Sequence, residues 1–252
     1  MPKLDLTTAK QIKGAAGEVL ALKGSGFAWA KPMAWTPASI ADASWVDMTD
    51  ASRRTLTNGR VSRISPRSGT IGLAQTVVER QPGLDGVIAG KAVPRFATSP
   101  HQLAFDAVLP NEATIVAILQ CVAGLSPLRA LVGFGLDDTT SPDTVPIVPI
   151  GGQNSTSTAW QRYRGVLTWR VNGVLVSPAT RAEAHDALFA SGKACLQEMH
   201  FTDTWLIRAL GGSRFDYRLG GDIAEVVIVP RALTAAERSN LSTYAQRYMI
   251  GT

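Results

Sequence analysis

An antiparallel β-sandwich closed by one C-terminal helix is the fold class that the sequence predicts, and three observations predict it. Short apolar runs recur along most of the chain with turn signals between them, and several alternate apolar and polar residues, as a strand with one buried face must. No helix-length repeat separates these runs, which disfavours a parallel α/β sheet. The segment Val171-Asn172-Gly173-Val174 carries the Asn-Gly pair that tolerates the positive φ angles of a two-residue hairpin turn.

The 252 residues suit one large all-β domain or two small ones, and a hydrophobic share of 45% is enough for a buried core. Strands are expected at 60–64, 92–96, 114–119, 130–134, 165–171, 196–201 and 223–229. One helix is expected over 234–248. Thr234-Ala235-Ala236-Glu237 is a capping box, and Leu241, Tyr244, Ala245 and Tyr248 then share one face, which should pack on the sandwich. Residues 1–35 read as a separate module of short β-like runs punctuated by glycine, with a linker near Pro32 and Pro37 and the main domain over 36–252. Segment 136–164 is polar and weakly periodic, and reads as a long loop.

The formal net charge is +5, of which +3 falls in the first 35 residues. That excess suits docking on an acidic partner surface and suits ordinary solvation equally well. No basic block with interleaved aromatic residues accompanies it, so nucleic acid is not an expected partner. No apolar stretch is long enough to span a membrane, so no membrane insertion is expected, and Met1-Pro2-Lys3-Leu4-Asp5 does not open a signal peptide. The expectation is synthesis in a cytoplasm and export only as part of an assembly. Cys121 and Cys195 stand in apolar contexts and read as buried free thiols, with a disulfide as the lesser alternative. With three scattered histidines they make no zinc spacing.

The run from Gly221 to Arg238 resembles the closing strand and helix of laminin-G-like, concanavalin A-like jelly rolls. Trp45-Val46-Asp47, Gly59-Arg60-Val61-Ser62, Gly90-Lys91-Ala92-Val93-Pro94-Arg95-Phe96 and Val171-Asn172-Gly173 resemble earlier parts of that family in the right order, over roughly residues 38–250. The resemblance implies a jelly-roll sandwich with a lectin-like role. Where the family often carries acids, this chain has Ala97-Thr98-Ser99-Pro100-His101 and Pro66-Arg67, so neither a metal site nor any other cofactor is expected. Residues 1–31 are similar to the short β-rich leaders of phage and gene-transfer-particle virion proteins. This implies a spike, fibre or tail component of a virion that meets other virion proteins through residues 1–31. A homo-oligomer fits that role, although no coiled-coil heptad occurs.

Catalysis is not expected. A glycoside hydrolase on this fold needs two carboxylates on one face, whereas Asp222 and Glu225 stand at odd separation and are expected on opposite faces of their strand. His101, His185 and His200 lack recognisable partners, and no Gly-x-Ser-x-Gly elbow occurs. Aromatic faces with planar polar groups can hold sugars. Two clusters offer both: Trp160, Arg162 and Tyr163 beside the polar loop, and Trp205, Arg208, Arg214 and Tyr217. The competing reading makes these tryptophans core and these arginines solvated rim. The expected function is therefore a non-enzymatic virion protein whose lectin-like domain binds a host surface polysaccharide. The alternatives are a bacterial carbohydrate-binding or adhesion module outside any particle, and less readily a glycan hydrolase.

Overall fold

The computed structural model describes residues 19–23, 26–30, 35–97, 101–122, 128–129, 131–133, 147–148, 151–152, 155–159, 167–189, 192–204, 207–211 and 219–249. The chain divides into two units, Met1–Thr36 and Pro37–Thr252. In the first, β1 (Val19–Lys23) pairs antiparallel with β2 (Gly26–Ala30), Val19 opposite Ala30 and Lys23 opposite Gly26. The part of the expected module over 1–18 lies outside the described residues.

In the second unit the described strands form two large antiparallel sheets, as an antiparallel sandwich requires. The chain builds β3 (Ser44–Asp47), β4 (Arg54–Thr57), β5 (Arg60–Ile64), β6 (Leu73–Ala74), β7 (Gly83–Ile88), β8 (Lys91–Phe96), β9 (Leu103–Phe105) and β10 (Ala113–Cys121). The short pieces β11 (Leu128–Arg129), β12 (Val132–Gly133), β13 (Ile147–Val148) and β14 (Gly151–Gly152) follow. Then come β15 (Leu167–Val171), β16 (Val174–Val176), helix α1 (Arg181–Phe189), β17 (Cys195–Phe201), β18 (Ala209–Leu210), β19 (Gly221–Val229) and helix α2 (Ala235–Met249). The larger sheet runs β16-β15-β17-β10-β19-β8-β7, with β3 also paired to β19. The smaller runs β13-β12-β18-β9-β6-β5-β4, and β11 pairs with β14. Two of these pieces, β13 and β14, fall within the segment read as a loop over 136–164.

Alternation explains the two faces of the larger sheet. Ile115, Ala117, Leu119 and Cys121 on β10 join Cys195, Met199 and Phe201 on β17 and Val226 and Ile228 on β19 in a single core. That core also takes Val61, Ile64, Leu73, Leu103, Val132 and Leu210 from the smaller sheet. All nine residues of β19 are buried, because its outer face is covered too. The cover is α2, whose Leu241, Tyr244, Ala245 and Tyr248 are buried, as the helical spacing predicts. Its capping box closes as expected: the Glu237 amide donates to Thr234 Oγ1 at 3.2 Å, and the Thr234 amide donates to Glu237 Oε2 at 2.8 Å.

Two features depart from the sequence reading. Helix α1 was not expected. Its start, Thr180-Arg181-Ala182-Glu183, has the capping-box sequence: the Glu183 amide donates to Thr180 Oγ1, while Glu183 Oε2 accepts from the Ala179 amide, one residue before the cap. Ala184 and Leu188 of this helix enter the core. The second departure concerns β19. Ile118 faces Glu225 while Leu119 faces Ile223, so Ala224 is an extra residue in the ladder. Its carbonyl accepts from the Met48 amide at 2.9 Å. The bulge flips the alternation, and Asp222 (opposite Gln120) and Glu225 (opposite Ile118) lie on the same, outer face. The expectation that they lie on opposite faces is wrong because it assumed an unbroken strand.

Candidate functional site

Of the seven residues expected to hold sugar, Trp160, Arg162, Tyr163, Trp205, Arg214 and Tyr217 lie outside the described residues. Arg208 is described. It is half-buried just before β18, and its carbonyl accepts from the Phe105 amide at 2.8 Å. Its guanidinium reaches the Ile207 carbonyl at 3.5 Å.

The densest polar constellation among the described residues is on the outer face of the larger sheet. The cross-strand register sets Asp47 on β3 directly opposite Glu225 on β19. Two carboxylates in facing positions repel, and each has its own hydrogen-bond donors and a nearby arginine, Arg67 being shared by Asp47 and Asp50. Glu225 accepts from Trp45 Nε1 at 2.8 Å, from the hydroxyls of Tyr244 and Tyr248, and from Arg247. Asp47 accepts from the Thr49 amide at 2.9 Å and from Thr49 Oγ1 at 2.7 Å, and Arg67 Nε lies 3.3 Å away. Burial pushes the Glu225 carboxyl above its ordinary range, and the Asp47 charge adds to this, while Tyr248, Arg247 and Trp45 oppose it. Burial, with the Glu225 charge next, raises both tyrosine hydroxyls.

Three cations lie on this aromatic layer. Arg67 stands over the Trp45 ring at 5.2 Å, Arg247 over Tyr244 at 3.7 Å, and Lys91 over Tyr248 at 5.9 Å, while Trp45 and Tyr244 meet edge to face. Arg53 donates to the Pro66 carbonyl beside Arg67, and Arg54 to the Ala92 carbonyl beside Lys91. Arg53 and Arg54 thus each reach the backbone of a residue adjacent in sequence to one of these cations.

The other buried acids of this sheet are also paired. Arg95 clamps Asp222 through two bonds of 2.8 and 2.9 Å. Arg238 of α2 clamps Glu198 of β17, and Arg170 lies 3.6 Å from the same carboxylate. Near the surface, hydrogen bonds from Ser52 and then Arg67 hold Asp50 down at about 2.

Elsewhere, His101 Nε2 lies 3.0 Å from Arg60 Nη1 and accepts from it, since a guanidinium only donates. Burial and then the Arg60 charge hold this imidazole below its ordinary value, which keeps it neutral. Cys121 and Cys195 are both buried free thiols, and burial pushes Cys195 up to about 12. Among the described residues no three His, Cys, Asp or Glu side chains come together as a metal site, and no helix is long and apolar enough to cross a membrane.

Sequence reasoning missed the Asp47–Glu225 pair, because the register between β3 and β19 is set by residues 180 apart in the chain. The tyrosine spacing on α2 was a legible signal, and it marked packing rather than the carboxylate beneath. No protein-family model and no curated protein matches the chain. Among solved structures it is similar to a Trypanosoma rangeli sialidase, with 14% identity and a TM-score of 0.37. The match covers 85% of this chain and 34% of the sialidase, so the chain spans about a third of that protein. At this level the likeness carries no argument about function.

Proposed function

We propose that the chain is a non-enzymatic binding module whose β-sandwich holds an acidic glycan, carried by a virion as a spike, fibre or tail component. One observation carries the binding half of this reading, namely the unequal exposure of the partners in its ion pairs. Arg247 is 42% exposed over a Glu225 that is 1% exposed, and Arg67 is 41% exposed over an Asp47 that is 7% exposed. Arg63 over Asp106, Arg95 over Asp222 and Arg238 over Glu198 follow the same order. At these pairs the negative charge is buried and the positive charge presented, although Asp85 beside Arg95 is itself exposed, so the surface around these arginines is more basic than the net charge suggests. Hydrolysis needs an open carboxylate pair. Here Glu225 and Glu198 lie under α2, and Asp47 and Asp222 are each engaged by an arginine, which supports binding without catalysis.

The patch of Arg53, Arg54, Arg67, Lys91 and Arg247 would take the carboxylates of an acidic polysaccharide. Polygalacturonate and its fully methyl-esterified form test this, since they share a backbone and differ in charge. The acid form should bind in a salt-sensitive way and the ester should not. Replacing Arg53, Arg54 and Lys91 together by Gln spares every buried acid and should weaken binding roughly tenfold. Equal binding to both polymers, unchanged by the triple substitution, would remove the patch from the site.

The virion half rests on the leader-like pattern of residues 1–31. A chain lacking them should keep the sandwich's circular dichroism and melting temperature but fail to enter particles. Normal incorporation of that truncated chain would show that the leader is not the anchor.

A further inference from the structure

Two Asn-Gly pairs occupy hairpin turns of the same backbone shape. Asn58 and Gly59, between β4 and β5, have φ of 52° and 75°. Asn172 and Gly173, between β15 and β16, have φ of 51° and 83°. All four residues are exposed. Their side-chain environments differ. Asn172 is pinned to β17, its Oδ1 accepting from the Leu196 amide at 2.8 Å while its own amide donates to the Leu196 carbonyl at 2.8 Å. Its turn also lies against α2, since a Cβ at Gly173 would stand 3.7 Å from Ser242 Oγ. Nothing lies within 4 Å of the same position at Gly59, and the Asn58 carboxamide has no partner among the described residues.

We propose that Asn58 is a site of spontaneous deamidation and that Asn172 is its protected counterpart. Solvent hydroxide takes the Gly59 amide proton, and the nitrogen's electron pair attacks Asn58 Cγ. The side-chain nitrogen leaves as ammonia after taking a proton from water, and a five-membered succinimide remains. Water then opens either ring carbonyl, giving aspartate or isoaspartate at 58, with no oxidant or reductant required. For the attack, the carboxamide carbon must swing onto the following nitrogen. Glycine presents no side chain in the way at either site, and the shared turn geometry imposes the same backbone cost on both. Asn172 must in addition break its bond to the Leu196 amide and move beside α2, which slows it roughly fivefold or more relative to Asn58.

The outcome adds a negative charge at the tip of the β4–β5 hairpin. Where isoaspartate forms, it also inserts a backbone carbon next to the Thr57–Arg60 pair that closes the turn. This inference does not depend on the ligand proposed above.

The test is a time course of the full-length protein in mildly alkaline buffer. Peptide mapping by mass spectrometry reads the gain of about one mass unit at each asparagine, and an isoaspartate assay identifies the product. The same course is run in concentrated urea, where folded contacts are gone. The expected result is conversion at Asn58 several-fold faster than at Asn172 in the folded protein, with the two rates converging in urea. Equal rates in the folded protein, or faster loss at Asn172, would overturn the proposal. So would an Asn58 that is stable when folded and converts only in urea, since that would show that the turn itself blocks the attack.

Discussion

Glu225→Ala should cost roughly 3–5 kcal/mol of folding stability, read as a fall in the urea midpoint with little change in slope. The magnitude follows from what is left behind. Trp45 Nε1 and the Tyr244 and Tyr248 hydroxyls are buried donors that end on this one carboxylate. Arg247→Ala should cost far less, about 1 kcal/mol or below, because that guanidinium is already half in water. Hydrogen exchange over α2 should therefore accelerate in Glu225→Ala and stay near wild type in Arg247→Ala. The pH dependence has a defined sign. The folded Glu225 carboxyl holds its proton more tightly than the unfolded one, so its contribution to stability is fully present below the ordinary glutamate value. It is lost as pH rises through the folded value. Between these two values wild type should lose stability relative to Glu225→Gln as pH rises. A cost below 1 kcal/mol for Glu225→Ala would show that α2 is held by its apolar face alone.

The legible and the illegible parts of this molecule separate along a physical line. Local rules were readable. Thr234 and Glu237 announced the start of α2, the spacing of Leu241, Tyr244, Ala245 and Tyr248 announced its buried face, and Asn172-Gly173 announced a hairpin. Thr180 and Glu183 carried the same capping signal for α1. That helix is short, and Ala184 and Leu188 with the partly buried Ala187 make a narrow apolar face, so no periodicity drew attention to it. The bulge at Ala224 has no local signature, because an extra residue becomes visible only when the partner strand is known. It decides which acids share a face. The site residues expected from aromatic and arginine clustering rest on composition alone. The constellation under α2 instead depends on register between β3 and β19, which no single-sequence pattern records.

Gly211→Ala should be severely damaging, costing about 3–5 kcal/mol. Two costs combine there. Gly211 has a φ of 89°, where a β-carbon strains the backbone, and a Cβ built on it would overlap the Phe96 ring. Phe96 is fully buried on β8, within the core shared by both sheets, and has no space to withdraw into. Gly211 directly follows β18 in the smaller sheet, where its amide donates to the Leu131 carbonyl at 2.8 Å and its carbonyl accepts from the Leu219 amide at 2.8 Å, so the backbone is fixed from both sides. Gly59→Ala separates the two costs. Its φ of 75° imposes the same kind of backbone strain, but nothing lies within 4 Å of the added carbon. That variant should lose only about 1–2 kcal/mol. The difference between the two variants, measured by urea unfolding under one set of conditions, isolates the close approach of the sheets at Phe96. Shortening the ring with Phe96→Leu in the Gly211→Ala background should return part of the lost stability, while the same change in wild type should only destabilise. Equal costs for Gly211→Ala and Gly59→Ala would mean that the sheets can part at this point without penalty, and that Gly211 is required for its backbone angle alone.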